Sequence, residues 1–158
     1  MHSPDYRGER TIEVNPTQDN ASLTMKYNAM LQILHKQKTG NPDASLSRKD
    51  LENKRHLLKK QARAVLAMIE EENPHVTRWS MLGKVEQQYY AMVLEKKAAD
   101  ICKIEIFRCK KQWCARGLLV EAFKMIAQNR NRRGIRRTRT GRTMPNKIRR
   151  VYLFTTID

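Results

Sequence analysis

The sequence predicts a mainly α-helical protein: an irregular bundle of three to five helices, followed by an extended arginine-rich C-terminal arm. Three observations favour this fold class. Aromatic residues make up only 6% of the 158 residues, which suits a slim bundle better than a β-sandwich or barrel. Apolar residues recur every three or four positions over much of 20–128. Residues 129–150 contain ten Lys or Arg and no acidic residue, so charge repulsion is expected to keep them extended.

The first 19 residues are expected to be a mostly irregular segment (1–19). They are polar and contain two prolines, Pro4 and Pro16, which interrupt regular structure. One short alternation of polar and apolar residues, TIEV at 11–14, suits a β-strand if it finds a partner. Residues 20–128 are predicted to form the helical domain.

The first helix is predicted to run from about residue 22 to residue 38. Asn20 or Ser22 can cap its start, and Gly40 can supply the left-handed residue that ends it. Two lysines in the last turn suit the negative end of the helix dipole. The apolar stripe at helical spacing consists of Leu23, Tyr27, Met30, Leu31 and Leu34.

The second helix has the clearest start signal in the chain. Ser47 is the predicted cap, and Asp50, three residues on, can reach back to it. The pair Asn73-Pro74 is expected to end the helix. Its apolar stripe consists of Leu51, Leu58, Ala62, Val65, Leu66 and Ile69.

The second helix also carries two charged clusters. An acidic run at 70–72 lies at its C-terminal end, where the helix dipole disfavours anions, so a basic partner outside the chain is one explanation. We expect the basic side of the helix to be solvated, with phosphate contact as the alternative. The basic side consists of Lys54, Arg55, Lys59, Lys60 and Arg63.

Residues 77–128 are rich in helix formers and can fold as one long helix or as several. We predict one helix over about 77–115, capped by Thr77, then a break at Gly117 and a further helix over about 118–128. A single rod through Gly117 is the alternative. Basic residues interrupt the heptad-like line, so a sustained coiled coil is not predicted. This line consists of Val85, Tyr89, Met92 and Ala99.

The last eight residues, 151–158, are strand-like because they are rich in β-branched and aromatic residues. A lone strand is not stable. We therefore expect a short terminal β-strand only if this tail pairs with residues 11–14 or adds to the sheet edge of a protein partner.

Arginine outnumbers lysine nine to one in residues 129–150. Its planar guanidinium grips phosphate with two hydrogen bonds and stays charged at biological pH. Gly134, Gly141 and Pro145 are expected to prevent a long helix. We therefore interpret the segment as a nucleic-acid-binding arm for RNA or DNA, with a nuclear-import signal as the alternative. The predicted phosphate contacts are Arg130, Arg132, Arg133, Arg136, Arg137, Arg139, Arg142, Lys147, Arg149 and Arg150.

The sequence contains no signature of an enzyme or a metal site. It has no phosphate-cradling glycine loop, no HExxH and no G-x-S-x-G motif. Its histidines are scattered, and its cysteines, Cys102, Cys109 and Cys114, lack zinc-ligand spacing. We therefore predict a non-enzymatic protein with no cofactor and no metal, whose cysteines are reduced and packed.

Charge and hydropathy predict the compartment and the partner. No apolar run approaches the roughly 18 residues needed to span a bilayer, and the first ten residues lack the apolar stretch of a signal peptide. The net charge is +16, which favours a polyanionic partner over a neutral one. We therefore expect a nuclear or nucleo-cytoplasmic protein whose partner is nucleic acid and not a membrane.

The stretch KQWCARG at 111–117 resembles the core of a calmodulin-binding IQ motif in its Q…RG spacing. It departs from the motif at Lys111, where an apolar residue belongs, and at Glu121, where a basic one belongs. The resemblance implies a calmodulin-type target at 110–126, but we expect Trp113 to pack into the bundle instead. The matching residues are Gln112, Arg116 and Gly117.

The function predicted from the sequence is binding of RNA or DNA by an accessory subunit of a viral or cellular nucleoprotein complex. The helical body would dock onto a protein partner through a helical face or through residues 151–158. The alternative is a helical protein–protein adaptor whose basic arm acts only in nuclear import.

Overall fold

The computed structural model describes residues 10–13 and 22–141, with side chains as far as Gly134. Within these residues the protein is mainly helical, which confirms the predicted fold class. The chain divides into two compact units, Met1–Phe123 and Lys124–Asp158. The α-helices are α1 (Leu23–Thr39), α2 (Arg48–Glu72), α3 (Lys84–Lys97) and α4 (Trp113–Gly141).

Helix α1 has the two caps that the sequence predicts. The Ser22 hydroxyl oxygen accepts a hydrogen bond from the Met25 backbone N–H at 3.3 Å, which satisfies one of the free donors of the first turn. At the other end, Gly40 is left-handed with φ of 67°, and its N–H donates to the Lys36 carbonyl at 3.0 Å. Glycine adopts this conformation without steric cost. The buried residues of α1 are Tyr27, Met30 and Leu31.

Helix α2 also begins where the sequence predicts. The Ser47 hydroxyl accepts from the Asp50 N–H at 3.1 Å, and the helix ends before Asn73. The buried residues confirm most of the predicted apolar stripe, and each buried aliphatic side chain contributes about 1.5–3 kcal/mol. They are Leu58, Gln61, Ala62, Val65, Leu66 and Ile69.

The Gln32 side chain joins α1 to the segment that precedes α2. Its amide Nε2 donates to the Leu46 carbonyl at 3.0 Å, and its Oε1 accepts from the Leu46 N–H at 2.8 Å. These two bonds satisfy both the N–H and the carbonyl of Leu46. They therefore hold the residue that precedes the cap of α2 against α1.

The acidic end of α2 has a partner inside the chain. The Tyr90 hydroxyl donates to Oε2 of Glu72, and Asn73 Nδ2 donates to the Tyr90 oxygen at 3.1 Å. Burial and the neighbouring Glu72 carboxylate raise the pKa of Tyr90 to about 12. A basic partner outside the chain is therefore not needed to explain Glu72.

Residues 77–115 form several elements, so the prediction of one helix is wrong. A 3₁₀ turn at Trp79–Met81 comes first, and α3 starts only after Gly83, which occupies the N-cap without a side-chain hydrogen bond. The predicted cap, Thr77, lies before this turn. The Gln87 side chain holds the turn to α3, because its Nε2 donates to two carbonyl groups of the turn region at 3.1 and 3.2 Å.

The heptad-like apolar line is exposed on α3. Val85 is 80% exposed, Tyr89 49% and Met92 46%. Apolar residues occur around much of this helix, so periodicity alone did not identify the side that packs on the core. The face that packs consists of Tyr90, Ala91, Leu94 and Glu95.

The chain departs from α-helix between α3 and α4. A π-helical turn, Ala98–Cys102, ends at Lys103, which is left-handed with φ of 59°. Two 3₁₀ turns follow, at Ile106–Arg108 and Lys110–Gln112. Lys111 and Gln112 also have positive φ, of 54° and 57°.

Burial explains this departure from a continuous helix. Ile104, Ile106 and Cys109 are all buried. Positions two apart lie on nearly opposite sides of a helix, so a helix would expose either Ile104 or Ile106. Packing of these side chains therefore outweighs the helix propensity of the surrounding residues, which is worth less than about 1 kcal/mol per residue.

Gly117 lies inside α4 and does not break it, so the predicted break there is wrong. A Cβ atom at this position would lie 2.9 Å from the Tyr27 hydroxyl oxygen and 3.7 Å from Leu23. The absence of a side chain at Gly117 therefore permits α1 to approach α4 closely. The position does not require the backbone conformations that glycine alone adopts easily. The buried residues of the adjoining α4 surface are Cys114, Ala115, Leu118, Leu119, Ala122 and Phe123.

We predict that the effect of Gly117→Ala on stability changes sign with residue 27. Alanine gains about 1 kcal/mol over glycine in a helix, but the clash with the buried Tyr27 hydroxyl costs about 1–3 kcal/mol. Gly117→Ala should therefore lower the free energy of unfolding in the original protein and raise it in Tyr27→Phe, as measured by urea denaturation. Gly134→Ala, with open space around it, is the control. The same sign in both backgrounds would contradict this account.

Residues 10–13 pack against the segment that precedes α4. Ile12 is buried and forms an isolated parallel bridge with Cys109, with hydrogen bonds of 3.0 Å to the Arg108 carbonyl and 2.9 Å from the Lys110 N–H. Ile12, within the alternation predicted to be strand-like, thus has a partner inside the helical body. Its suggested partner, residues 151–158, lies outside the described residues.

Candidate nucleic-acid interface

The arginine-rich region begins on α4. Helix α4 continues to Gly141, so residues 129–141 are helical and the prediction of an extended arm is wrong for them. Arg130, Arg132 and Arg133 are exposed, and Arg136, Arg137 and Arg139 occupy later positions of the helix. Four predicted contacts lie outside the described residues. They are Arg142, Lys147, Arg149 and Arg150.

Helix propensity explains why this region is helical despite its charge. Arginine is a good helix former, and extending an existing helix avoids the cost of nucleation. Like charges four apart oppose the helix by only about 0.2–0.5 kcal/mol per pair. Gly134 adds about 1 kcal/mol of cost, whereas cations near the C-terminal end of α4 are favoured by the helix dipole.

The arginine positions share one side of the helix. Each residue advances an α-helix by about 100° and 1.5 Å. The arginine positions from 130 to 139 therefore fall within about half of the circumference, along roughly 14 Å of the axis. Positions 131, 134, 135 and 138, which are uncharged, occupy the other half. We call the half that carries the arginine positions the arginine face of α4.

The start of α4 is held by Trp113. Its indole Nε1 donates to the Ile12 carbonyl at 3.1 Å, and its ring stacks on Tyr27 with centroids 6.2 Å apart and an interplanar angle of 6°. The prediction that Trp113 packs into the bundle is confirmed. Because α4 is one element from Trp113 to Gly141, the helix that carries the arginines begins at this contact.

A partly buried ion pair anchors the segment beside Trp113. Arg10 grips the Glu95 carboxylate with two hydrogen bonds of 2.8 and 2.9 Å and also donates to the Cys109 carbonyl at 2.9 Å. The Glu95 side chain is 2% exposed, and Gln112 Nε2 donates to it at 3.2 Å. The hydrogen bonds to Glu95 raise the pKa of Arg10 above its ordinary value, so the guanidinium stays charged.

Sequence reasoning missed this ion pair because its partners are 85 residues apart. Arg10 belongs to a segment predicted to be irregular, and Glu95 lies among the lysines of α3. The sequence offers one indirect signal. Glu95 lies on the same side of the helix as Ala91 and Ala98, and a carboxylate that is buried on such a side must have a partner.

Part of the basic side of α2 is covered by the rest of the protein. Lys59, Lys60 and Arg63 are exposed, whereas Lys54 and Arg55 are half-buried. The exposed three agree with the expectation of a solvated side. Lys54 instead lines a cleft formed by α1, α2 and the segment that follows α3.

The cysteines are free thiols, as predicted. Cys109 and Cys114 are buried, and the Cys109 sulfur lies 3.3 Å from that of Met30. Burial and the neighbouring Cys109 raise the pKa of the Cys114 thiol well above its ordinary value, so this thiol stays protonated at neutral pH.

In the part of the chain that the structure describes, no three or more His, Cys, Asp or Glu side chains come close enough together to hold a metal ion. Across the same residues, no helix combines the length and the apolar character needed to cross a membrane. Comparison of the chain with protein-family models, with curated proteins and with solved structures finds no match.

Proposed function

We propose that the protein is a non-enzymatic nucleic-acid-binding subunit that contacts the phosphates of RNA or DNA through the arginines of residues 129–150. The observation that carries this proposal is the arginine face of α4, on which Arg130, Arg132 and Arg133 are exposed. Guanidinium groups bind phosphate oxygens with two hydrogen bonds each. Such contacts position a protein on a nucleic acid without reading its sequence.

The dimensions of the arginine face agree with this proposal. One strand of a duplex carries a phosphate about every 3.4 Å along the axis, so roughly 14 Å of helix covers about four phosphates. The further basic residues up to Arg150 extend the expected contact to about five to eight phosphates. The net charge of +16 adds long-range attraction to any polyanion.

A protein–protein adaptor is the second candidate, because one observation favours it. Val85, Tyr89 and Met92 are exposed apolar residues at positions of α3 that share one side of the helix, and exposed apolar patches mediate protein contacts. In this alternative the basic segment serves only nuclear import. Nucleic-acid binding in the low-salt anisotropy assay distinguishes the two candidates, because an import signal alone does not require it.

The calmodulin-type target at 110–126 has weaker support. The residues that match the IQ motif are used within the body: Gln112 donates to Glu95, and Arg116 donates to Gln87 at 3.4 Å and to Gln112 at 3.3 Å. Calmodulin would have to displace these contacts to reach the apolar side of the helix. Calcium-dependent capture of the intact protein by calmodulin would support this alternative.

Salt dependence tests the proposed function. We expect log K for a fluorescent RNA or DNA of about 20 nucleotides to fall with log salt concentration at a slope of roughly −4 to −7, because each bound phosphate releases condensed counterions. Fluorescence anisotropy of the full chain at several salt concentrations measures this slope. A slope near zero, or no binding at about 50 mM salt, would rule out phosphate contact as the basis of function.

A further inference from the structure

A cavity of about 340 Å³ lies between α1, α2 and the segment that follows α3. Its volume falls within the range of about 300–1,000 Å³ that is usual for small-molecule sites. Leu31 and Ile104, which are buried, and Leu34, which is half-buried, supply an apolar wall. We call this cavity the α1–α2 cleft.

The polar lining of the α1–α2 cleft is mainly cationic. Lys38 from α1, Lys54 from α2 and Lys103 after the π-helical turn reach it from three different elements. Arg108 and Glu105 also line it, and they form an ion pair of 2.7 Å with each other. The three lysines therefore give the cleft a positive charge that the one carboxylate does not balance.

The backbone at Lys103 determines where its side chain leaves the chain. Its φ of 59° and ψ of 32° place it in the left-handed region. A glycine would adopt this conformation at lower cost, whereas a side chain with a Cβ atom is strained there. Lys103 ends the π-helical turn, and a left-handed residue is common at the end of a helix. At this position the side chain belongs to the cleft lining.

We propose that the α1–α2 cleft binds a phosphate monoester of about mononucleotide size. A monoester carries nearly two negative charges at neutral pH, and lysine ammonium groups bind phosphate as point charges. In the bound state Lys54 and Lys103 contact the phosphate, and the organic part of the ligand lies against Leu34 and Ile104. The site uses none of the arginines of α4, so it is independent of the proposed function.

Calorimetric titration of the full chain with adenosine 5′-monophosphate tests this site. We expect adenosine and inorganic phosphate each to bind at least about tenfold more weakly than the nucleotide, because each lacks one half of the contacts. Lys54→Gln combined with Lys103→Gly should weaken nucleotide binding by about tenfold or more. Lys103→Gly removes the charge but keeps the left-handed backbone, so thermal unfolding should occur at the same or a higher temperature.

The matched controls are Lys36→Gln and Lys59→Gln. Both lysines are exposed, lie on the same helices as Lys38 and Lys54, and do not line the cleft. The same loss of charge at these positions should leave nucleotide affinity unchanged within about twofold. If the control and cleft variants lose nucleotide affinity equally, the proposal is wrong. It is also wrong if the original protein does not bind the nucleotide.

Two sources of phosphate monoester are separated by a further comparison. An oligonucleotide with a 5′-phosphate is titrated beside the same strand with a 5′-hydroxyl. If the terminal phosphate strengthens binding, and Lys54→Gln with Lys103→Gly abolishes that gain, the cleft accepts a strand end. If only the free mononucleotide responds to these substitutions, the cleft accepts a soluble nucleotide. If neither ligand responds to them, the proposal fails while binding by the arginine face is unaffected.

Discussion

Replacing Arg132, Arg133, Arg136 and Arg137 together with alanine is expected to flatten the salt slope of nucleic-acid binding by about three to four units. Four lost phosphate contacts account for this change at about 0.9 unit each on a duplex. The same change in slope corresponds to an affinity roughly 10³-fold lower at about 0.15 M salt. The loss should be similar across sequences, because contacts to phosphate carry no base information. Anisotropy titrations at several salt concentrations measure both quantities.

Alanine is suited to this test because it is the best helix former, so α4 should keep its helical structure in the quadruple variant. Far-ultraviolet circular dichroism verifies this. The matched control removes four positive charges from exposed positions on α1, α2 and α3, and it should lower affinity far less. It consists of Lys36→Ala, Lys49→Ala, Lys84→Ala and Lys96→Ala. If the two quadruple variants lose affinity equally, net charge and not the arginine face is responsible.

The elements that the sequence predicted well are those with local signals. Helix α1 and the start of α2 are defined by caps, Ser22, Gly40 and Ser47, that act on backbone groups within four residues. The buried stripe of α2 follows from helical periodicity alone, because its opposite side is charged. Such signals need no knowledge of the rest of the fold.

Prediction failed where the deciding contact lies far away in sequence. Gly117 was interpreted as a helix break, whereas its role is set by the hydroxyl of Tyr27, 90 positions earlier. The end of the helical stretch that α3 begins is set by the burial of Ile104 and Ile106. Local propensity disfavours a helix at Gly117 and favours one around Ile104, the reverse of what the packing produces, and neither packing contact leaves a pattern in the nearby residues.

The candidate interface could be predicted in composition but not in conformation. The excess of arginine in 129–150 is visible in the sequence, and Arg132 and Arg133 are exposed as a phosphate contact requires. The helix that carries them was missed because glycines and like charges were given more weight than continuity with α4. The lysines of the α1–α2 cleft were also missed, since Lys38, Lys54 and Lys103 are brought together only by tertiary structure.

Removing Arg10 is expected to be the most destabilising single substitution among the polar residues discussed. Arg10→Ala leaves the Glu95 carboxylate, 2% exposed, with only Gln112 as a side-chain donor among the described residues. Breaking a buried ion pair in this way costs about 3–5 kcal/mol. Urea denaturation should show this loss, and the melting temperature should fall by roughly 10 °C. Trp113 fluorescence should also change, because residues 10–13 supply the carbonyl that its indole binds.

A second substitution distinguishes the buried charge from the loss of packing. In Arg10→Ala with Glu95→Gln, residue 95 is neutral and keeps an oxygen to accept from Gln112, so we expect a large part of the lost stability to return. The control is Glu105→Ala, which breaks the half-exposed pair with Arg108 and should cost less than about 1 kcal/mol. If the double variant is no more stable than Arg10→Ala alone, the cost arises from lost contacts of residues 10–13 and not from an unpaired carboxylate. A return of stability would instead show that the cost of Arg10→Ala is that of an unpaired buried carboxylate beside the start of α4.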